Sequence, residues 1–332
     1  MAKYPTVNFI GNKEKVIDWI MEEMPVKKGI VVDLFAGGCS VSYALKEKGY
    51  KVISNDILYS NYVLSKAIIE NNKIKLFKED LNVNIDKKDI KKKYNEISDL
   101  SDRLYYKNEV EELAKLILIS DKLHGYKKYI FLALLRRAMI RKLPYSRMNV
   151  VWREIQRFRD EELSYKLYKR RRAYHNKTFE FHILDNMQEY NEAIFEGEEC
   201  KAYNEDAFSL IKKIGKVDII YIDPPYPGTM NNYDVFYGDY DKAVKKLKKH
   251  TDFTNQEEFI KNIRKLVELY RKQTKFFIFS LNSNSKPSIN ELKVSLKEYG
   301  TFSIKTKEHC YKVTSKQMKH NNNELLLILK VK

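Results

Sequence analysis

The fold is decided by the stretch Ile30-Val31-Val32-Asp33-Leu34-Phe35-Ala36-Gly37-Gly38-Cys39-Ser40, in which an apolar strand runs into a turn of small residues and then a helix. Glycines in such a turn let the backbone approach a ligand closely, and the following helix offers free N–H groups at its first turn. Taken alone, a Gly-Gly turn after a strand is equally typical of simple tight packing. The interpretation therefore depends on what surrounds it.

Similar apolar runs recur along the chain and predict seven strands, at 30–34, 51–54, 201–204, 217–222, 276–280, 302–305 and 325–329. Helical stretches, such as 40–48 and 256–270, lie between several of them. Strands that alternate with helices favour a mostly parallel, doubly wound sheet of the α/β class.

The alternation breaks between about residues 81 and 199, where the sequence is charged, rich in tyrosine and helical in pattern. We expect an inserted, mainly helical domain over 81–199. The sheet domain is then built from two parts, with the first at 1–80 and the second at 200–332.

The chain has 62 Lys and Arg against 45 Asp and Glu among 332 residues, a formal charge of +17. Such an excess indicates an anionic partner, with nucleic acid favoured over a ribosomal or membrane surface. Most of it lies in 122–177, which holds about 17 basic and about 4 acidic residues. Our candidates for phosphate contact or stacking there are Arg136, Arg137, Arg141, Tyr145, Arg147, Lys169, Arg170, Arg171 and Arg172.

Cysteine usage and hydropathy exclude several other classes of protein. Cys39, Cys200 and Cys310 are widely spaced and lack the pattern of a zinc site, so we expect no metal. The N-terminus has no signal-like apolar segment and no apolar stretch is long enough to span a bilayer. We therefore expect a cytoplasmic protein that is not associated with membranes.

Acidic residues follow two further strands. Asp56 closes the second strand about 20 residues after the glycine turn, where nucleoside-binding sheets accept hydrogen bonds from ribose hydroxyls. Asp206 follows the third strand and is a candidate for the adenine side of a nucleoside, with Phe208 beside the ring. Either acid can instead cap the helix after it, and for Asp206 the two roles are compatible.

The run Asp223-Pro224-Pro225-Tyr226 ends a buried strand, since proline cannot continue a central ladder. The nitrogen of an exocyclic amine on a base is a poor nucleophile, because its lone pair is delocalised into the ring. The Asp223 carboxylate and the Pro224 carbonyl can accept its two N–H groups, and their negative charge favours the cationic nitrogen that develops. Tyr226 is then placed to stack on the base. An ordinary strand-ending turn is the alternative interpretation.

Chemistry of this kind needs the target nucleotide flipped out of the duplex into the site. Methylation at cytosine C5 would instead need a nucleophilic thiol in a Pro-Cys context, which the three cysteines do not provide.

These motifs and their order resemble the Dam-like (D12 class) DNA adenine N6-methyltransferases, in which cofactor motifs precede a target-recognition insertion and then Asp-Pro-Pro-Tyr. The N-terminal run Asn8-Phe9-Ile10-Gly11-Asn12-Lys13 is similar to that family's aromatic-x-Gly-x-Lys segment. The resemblance implies the Rossmann-like sheet of class I methyltransferases, with seven strands and the last antiparallel. It also implies S-adenosyl-L-methionine as the cofactor.

Carried over residue by residue, the resemblance implies that Phe9 lies against the cofactor and that Lys13 reaches its carboxylate or the active-site acids. It gives the cofactor's methionine and ribose side to Asp33, Gly37, Gly38 and Asp56, and its adenine side to Asp206. Arg147-Met148-Asn149-Val150 weakly resembles a DNA-proximal Gly-x-Phe-Asn segment, although this sequence departs from it at the Gly and Phe positions. Asn232 and Tyr233 are expected in a loop beside the flipped base.

The sequence thus predicts a site-specific enzyme that methylates adenine N6 in double-stranded DNA, either within a restriction-modification system of a microbe or phage or as a solitary methylase. A cognate endonuclease would act separately. Three alternatives stay open: a cytosine-N4 DNA methyltransferase, an RNA adenine methyltransferase and a DNA-binding protein with a degenerate catalytic lobe.

Overall fold

The computed structural model describes residues 2–163, 175–228, 232–244, 246–309 and 322–332. The chain divides into two compact units. One, the sheet unit, comprises 11–57, 197–233 and 248–332; the other, the helical unit, comprises 1–10, 58–196 and 234–247. The helical unit therefore contains 81–196 of the predicted insertion, together with 1–10, 58–80 and 234–247 from outside it.

The sheet unit contains one seven-stranded sheet of the predicted class. Its strands are β1 (Ile30–Asp33), β2 (Lys51–Asn55), β3 (Lys201–Tyr203), β4 (Ile219–Ile222), β5 (Phe276–Asn282), β6 (Gly300–His309) and β7 (Asn322–Val331). The spatial order is β3-β2-β1-β4-β5-β7-β6. All seven predicted strands are present, and β7 is antiparallel as the resemblance implied. It lies between β5 and β6.

Strands β1 to β5 pair in parallel, so their carboxyl ends lie at one edge of the sheet. This register places Asp33 of β1 opposite Tyr221 of β4, two residues before Asp223. We call this side the carboxyl edge; in open α/β sheets, ligands bind there.

The helices of the sheet unit are α1 (Ile17–Glu22), α2 (Ser40–Glu47), α10 (Gln256–Tyr270) and α11 (Ile289–Leu296). Helix α10 begins where the Asn255 side chain accepts the N–H groups of Glu257 and Glu258. Its apolar face, including Phe259, Ile263 and Leu266, is buried in a core shared with β1, β4, β5 and β7. Burial on both faces explains why the central strands are continuous apolar runs.

The helical unit contains α3 (Tyr59–Ser65), α4 (Lys87–Glu96), α5 (Lys107–Lys122), α6 (Gly125–Arg141), α7 (Trp152–Leu163), α8 (Phe179–Glu192) and most of α9 (Tyr233–Ala243). Helix α6 is central and packs against α3, α5 and α8. Asp241 of α9 accepts the backbone N–H groups of Tyr59 and Ser60 at the start of α3. This contact helps explain why 234–247 belongs with a unit distant in sequence.

No helix among the described residues is both long and apolar enough to cross a membrane. Within the same ranges, no group of three or more His, Cys, Asp or Glu side chains is arranged to hold a metal ion.

Candidate active site at the carboxyl edge

The predicted glycine turn connects β1 to α2. Gly37 and Cys39 have positive φ angles of 50° and 64°, and the turn is fixed by a 2.8 Å bond from the Ala36 N–H to the Asn55 carbonyl. The Gly37 N–H donates to Asp56 Oδ2 at 2.8 Å. The turn and the acid that follows β2 are thus joined directly.

Asp33 is buried at the end of β1 with 1% of its surface exposed. Ser42 Oγ donates to Asp33 Oδ2 at 2.6 Å, whereas Asp33 Oδ1 has no hydrogen-bond partner in the described part of the chain. Burial, opposed by this hydrogen bond and reinforced by the charges of Asp223 and Asp56, raises the pKa of Asp33 to about 7. A cationic ligand group near these acids would relieve their repulsion.

Asp206 accepts two backbone N–H groups, from Phe208 to Oδ1 and from Thr251 to Oδ2, both at 2.8 Å. The Phe208 ring stacks on the Phe253 ring, with centroids 6.0 Å apart. The Phe35 ring packs edge-on against Phe253 at 5.1 Å. Phe35 and Phe253 are aromatic neighbours that the sequence interpretation missed. A signal existed for Phe35, since it sits inside the quoted turn.

Asp223 follows β4 directly and faces one cation. Lys13 Nζ lies 3.5 Å from Asp223 Oδ2 and 3.3 Å from Glu324 Oε2, so one ammonium contacts two carboxylates. Burial raises the pKa of Asp223 to about 6; Lys13 lowers it and the Glu324 charge raises it. The resemblance predicted that Lys13 reaches an active-site acid or the cofactor carboxylate, and the contact with Asp223 matches the first of these.

The Tyr226 ring packs within the hydrophobic core of the sheet unit, against Phe259 at 5.3 Å, and 7% of Tyr226 is exposed. The ring is therefore part of the core at the end of β4. Stacking of Tyr226 on a target base stays a prediction. Pro224 is also buried, and Pro225 is partly exposed.

Asn55 joins three strand ends at the carboxyl edge and was also missed. Its Nδ2 donates to the carbonyls of Leu34 and Glu205 at 3.1 and 3.0 Å, and its Oδ1 accepts the Glu205 N–H at 3.1 Å. The side chain is 1% exposed, and its bond to the Leu34 carbonyl is buried, so that carbonyl would lose its donor without Asn55.

Asn55→Asp is therefore expected to lower the free energy of unfolding by about 2 to 4 kcal/mol, because a carboxylate cannot donate to the two carbonyls. It also adds charge beside Asp33 and Asp56. Urea unfolding followed by circular dichroism measures the change. An unfolding midpoint equal to that of the unchanged protein would contradict this assignment.

The candidate DNA residues of the helical unit differ in exposure. Arg136 and Arg137 are buried; Arg136 Nη1 donates to the Val7 carbonyl and its guanidinium lies 5.2 Å from the Tyr237 ring centroid, while Arg137 Nε donates to Asn186. This finding corrects the expectation that these two arginines are open to phosphate. They hold the first ten residues and α8 against α6 instead.

The other candidates are more accessible. Tyr145 is 57% exposed with a positive φ of 62°, and Asn149 is exposed. Arg147 is partly exposed between the rings of Tyr145 and Phe236, and Arg141 is partly exposed beside Asn186. Lys169, Arg170, Arg171 and Arg172 lie outside the described residues.

Three further predicted residues lie near the ends of the two units' segments. In the helical unit, Phe9 stacks on Tyr237 at 5.1 Å. In the sheet unit, Asn232 is exposed and Tyr233 is partly exposed, with its hydroxyl close enough to Gly11 that a Cβ there would approach it to 2.8 Å. Their predicted contacts with cofactor and base stay predictions, as do those of Gly38.

Comparisons with known proteins agree with the motifs. The model of the D12 class N6 adenine-specific DNA methyltransferase family matches residues 9–313. The chain is 42% identical over 336 residues to Type II methyltransferase M2.HphI of Haemophilus parahaemolyticus, covering 98% of each protein.

Two further relatives are longer than this chain. It is 31% identical over 252 residues to Type II methyltransferase M.FokI of Planomicrobium okeanokoites, covering 68% of this chain and 36% of that protein. It is 27% identical over 242 residues to modification methylase StsI of Streptococcus sanguinis, covering 66% and 34%. With the family match spanning nearly the whole sequence and the Asp-Pro-Pro-Tyr turn at the carboxyl edge, the chain belongs to the D12 class of N6 adenine-specific DNA methyltransferases.

Proposed function

We propose that this enzyme takes its methyl group from S-adenosyl-L-methionine and delivers it to an adenine flipped out of double-stranded DNA. The observation that carries the proposal is the Asp223 carboxylate, held beside Lys13 at the edge where Asp33 and Asp56 are also buried. An acceptor for an amine and a set of acids suited to a cationic cofactor thus share one edge of the sheet.

The described residues fit this cofactor, which supplies an electrophilic methyl group on a positively charged sulfur. The carboxylates of Asp33 and Asp56 favour its ammonium and sulfonium charges, and Asp33 Oδ1 retains acceptor capacity. Asp56 is proposed for the ribose hydroxyls, beside the backbone at Gly37 and Gly38. Asp206 and Phe208 are proposed for the adenine end.

At the target base, the Asp223 carboxylate and the Pro224 carbonyl are proposed to accept the two N–H groups of the exocyclic amine. Holding both hydrogens directs the nitrogen lone pair out of the ring plane and stabilises positive charge as it develops. Asp223 is also proposed to take up the proton that the nitrogen must lose. Its raised pKa suits that role better than an ordinary aspartate.

DNA binding is proposed to rest on exposed residues and on charge. Tyr145, Arg147 and Asn149 of the helical unit are our candidates for contacts to bases or phosphates, together with Asn232 and Tyr233 after the catalytic turn. The basic run at 169–172 is proposed, on its sequence alone, to neutralise phosphates.

The names of the relatives favour a biological role. Because M2.HphI and M.FokI are named as type II methyltransferases, we propose that this chain protects host DNA in a restriction-modification system. A separate endonuclease of the same specificity would be its counterpart, and both would act in the cytoplasm of a microbe or in a phage-infected cell.

One assay tests the chemistry. Purified protein is incubated with tritiated S-adenosyl-L-methionine and unmethylated duplex DNA, and the DNA is digested to nucleosides. We expect label in N6-methyldeoxyadenosine. Label in N4-methyldeoxycytidine would overturn the assignment of the base, and preference for competing RNA would overturn that of the substrate. Single-molecule sequencing of DNA from cells that express the chain then reports the recognition sequence.

Lys13→Met is expected to move the acid limb of kcat/KM upward by about one pH unit, because Lys13 lowers the pKa of Asp223. Asp223 then stays protonated at pH values where the unchanged enzyme is active. The ratio of kcat/KM for Lys13→Met to that for the unchanged enzyme should therefore increase as pH rises from about 6 to about 9. An acid limb in the same place would show that Lys13 does not act on Asp223.

A further inference from the structure

Glu324 occupies an unusual position for an acid. Because β7 is antiparallel to β5, the first residues of β7 lie beside the last residues of β5, and Glu324 pairs with Asn282. Glu324 is therefore at the carboxyl edge with the acids that follow β1, β2 and β4. Only 2% of its side chain is exposed, so its charge needs a partner within the protein.

Lys13 is one such partner. The Lys13 ammonium lies slightly closer to Glu324 than to Asp223, at 3.3 against 3.5 Å, and 12% of the Lys13 side chain is exposed. An ammonium has three donors, so it can serve both carboxylates at once. The trio then carries a net charge of about −1 when all three groups are ionised.

Because Lys13 is shared between two carboxylates, Asp223 remains a stronger hydrogen-bond acceptor. A carboxylate that holds an ammonium alone is largely neutralised and becomes a weaker acceptor for a third group. A second carboxylate on the same ammonium draws part of that charge away. Asp223 then keeps acceptor strength for an incoming amine while remaining ionised near neutral pH.

We propose that Glu324 is a positioning residue for methyl transfer: it holds Lys13 between two carboxylates and so keeps Asp223 available to the target amine. The inference rests on the proposed role of Asp223 as acceptor. Glu324 acts through Lys13 and need not touch either substrate.

The charges and titratable groups around Asp223 come from several elements. Besides Lys13 before α1 and Glu324 on β7, they are Asp33 on β1, Tyr221 on β4 and Tyr226 in the catalytic turn. Burial keeps the pKa values of both tyrosines well above the ordinary value, so they stay neutral over the range of the assay. The pKa of Asp33, raised to about 7 mainly by burial, also lies within that range.

The test compares Glu324→Gln with the unchanged enzyme in kcat, in KM for DNA and in the pKa of Asp223 measured by 13C NMR. We expect kcat at pH 8 to fall about tenfold with KM within about twofold, because the interaction acts on the reacting state. The pKa of Asp223 should fall by about half a unit or more, since a charge that raises it is gone. A purely structural role would not lower that pKa.

Glu308→Gln is the matched control, because Glu308 is an exposed acid on the neighbouring strand β6. It is expected to leave kcat and the pKa of Asp223 unchanged. Glu324→Asp keeps the charge and should keep the pKa near that of the unchanged enzyme; it also serves if Glu324→Gln does not fold, and a pKa lowered in Glu324→Asp would then overturn the inference.

The remaining outcomes separate this inference from the proposed function. An unaltered pKa of Asp223 in a folded Glu324→Gln protein overturns the role of Glu324, whatever the turnover. Absence of N6-methyladenine with the unchanged enzyme counts against the proposed function alone, since the NMR titration needs no cofactor or DNA.

Discussion

Asp223→Asn is expected to lower kcat by about 10³-fold while leaving the affinity for DNA nearly unchanged. The amide has almost the same shape, but it lacks the negative charge that favours a cationic nitrogen and can no longer take up its proton. Affinity should persist because phosphate contacts by surface lysines and arginines supply most of it. Single-turnover methyl transfer and a fluorescence-anisotropy titration measure the two quantities. Retained turnover would show that the acceptor is a different group.

The same substitution is expected to leave the protein at least as stable at pH 8, and the sign follows from the pKa. The pKa of Asp223 is raised in the folded protein from 3.8 to about 6, so the unfolded chain loses this proton first as pH rises. Asp223 therefore costs stability progressively between these two values, and the cost is fully present above pH 6. Asparagine removes it. The difference in melting temperature between Asp223→Asn and the unchanged protein should increase in favour of Asp223→Asn as pH rises from about 4 to about 8.

Asp218 provides a matched control at the other end of β4. It accepts the Ile30 N–H at 2.9 Å and pairs with Lys275 at 2.8 Å, and these contacts hold its pKa below the ordinary value. Its charge therefore adds stability at neutral pH, and that stability is lost as pH falls. Asp218→Asn should lower the melting temperature at pH 8 and leave kcat unchanged, which is opposite to Asp223→Asn in both measurements.

The strands were predictable because the strands that form the core of the sheet unit are continuous apolar segments of the sequence. Central parallel strands are buried on both faces, so β1, β4 and β5 appear as uninterrupted apolar runs. Asp56 and Asp223 were found because each directly follows a strand-like run, whereas Asp33 came from the resemblance. The antiparallel direction of β7 came from the resemblance, and its position between β5 and β6 was not predicted.

The basic segment shows where counting charges fails. Arg136, Arg137, Lys142 and Arg159 all lie within 122–177, yet all four are buried and engaged inside the helical unit. A count of arginines assumes that they are solvated, and nothing local in a helical sequence distinguishes a buried guanidinium from a surface one. Their partners lie between 33 positions away, as for Lys142 and His175, and 129 positions away, as for Arg136 and Val7.

Glu324 was missed for a related reason. An acid directly before an apolar strand is usually exposed at the strand end, and Glu324 precedes the run at 325–329. Its burial depends on Lys13, which is 311 positions earlier in the chain. For Tyr226, the motif predicts a chemical role, stacking on the target base. Its packing against Phe259 could not be predicted, because Phe259 belongs to α10, a distant element in the sequence.

The largest effect on stability is expected from Glu109, a buried acid of α5 in the helical unit. Glu109 Oε1 lies 2.7 Å from Lys142 Nζ and 2.9 Å from Arg159 Nη1, and its Oε2 accepts the Tyr106 N–H at 3.0 Å. Lys142 and Arg159 are almost fully buried, with 0% and 2% of their side chains exposed. One carboxylate thus compensates two cations that solvent does not reach.

Glu109→Gln is expected to lower the free energy of unfolding by about 3 to 5 kcal/mol, because it leaves both cations in a buried site without a counter-charge. Urea unfolding at about pH 7.5 measures this decrease in the free energy of unfolding. Glu111→Gln, an exposed acid on the same helix, is the matched control and should change the value by less than about 0.5 kcal/mol.

The pH dependence identifies the cause. Burial lowers the pKa of Lys142 while Glu109 raises it, so removing Glu109 lowers the pKa further. A lysine whose pKa is lowered by folding gains stability as pH rises toward its unfolded value, because the folded protein releases the proton first. The decrease in the free energy of unfolding caused by Glu109→Gln should therefore become smaller between about pH 7 and about pH 10. A deficit that stays constant over this range would indicate lost packing rather than an uncompensated charge.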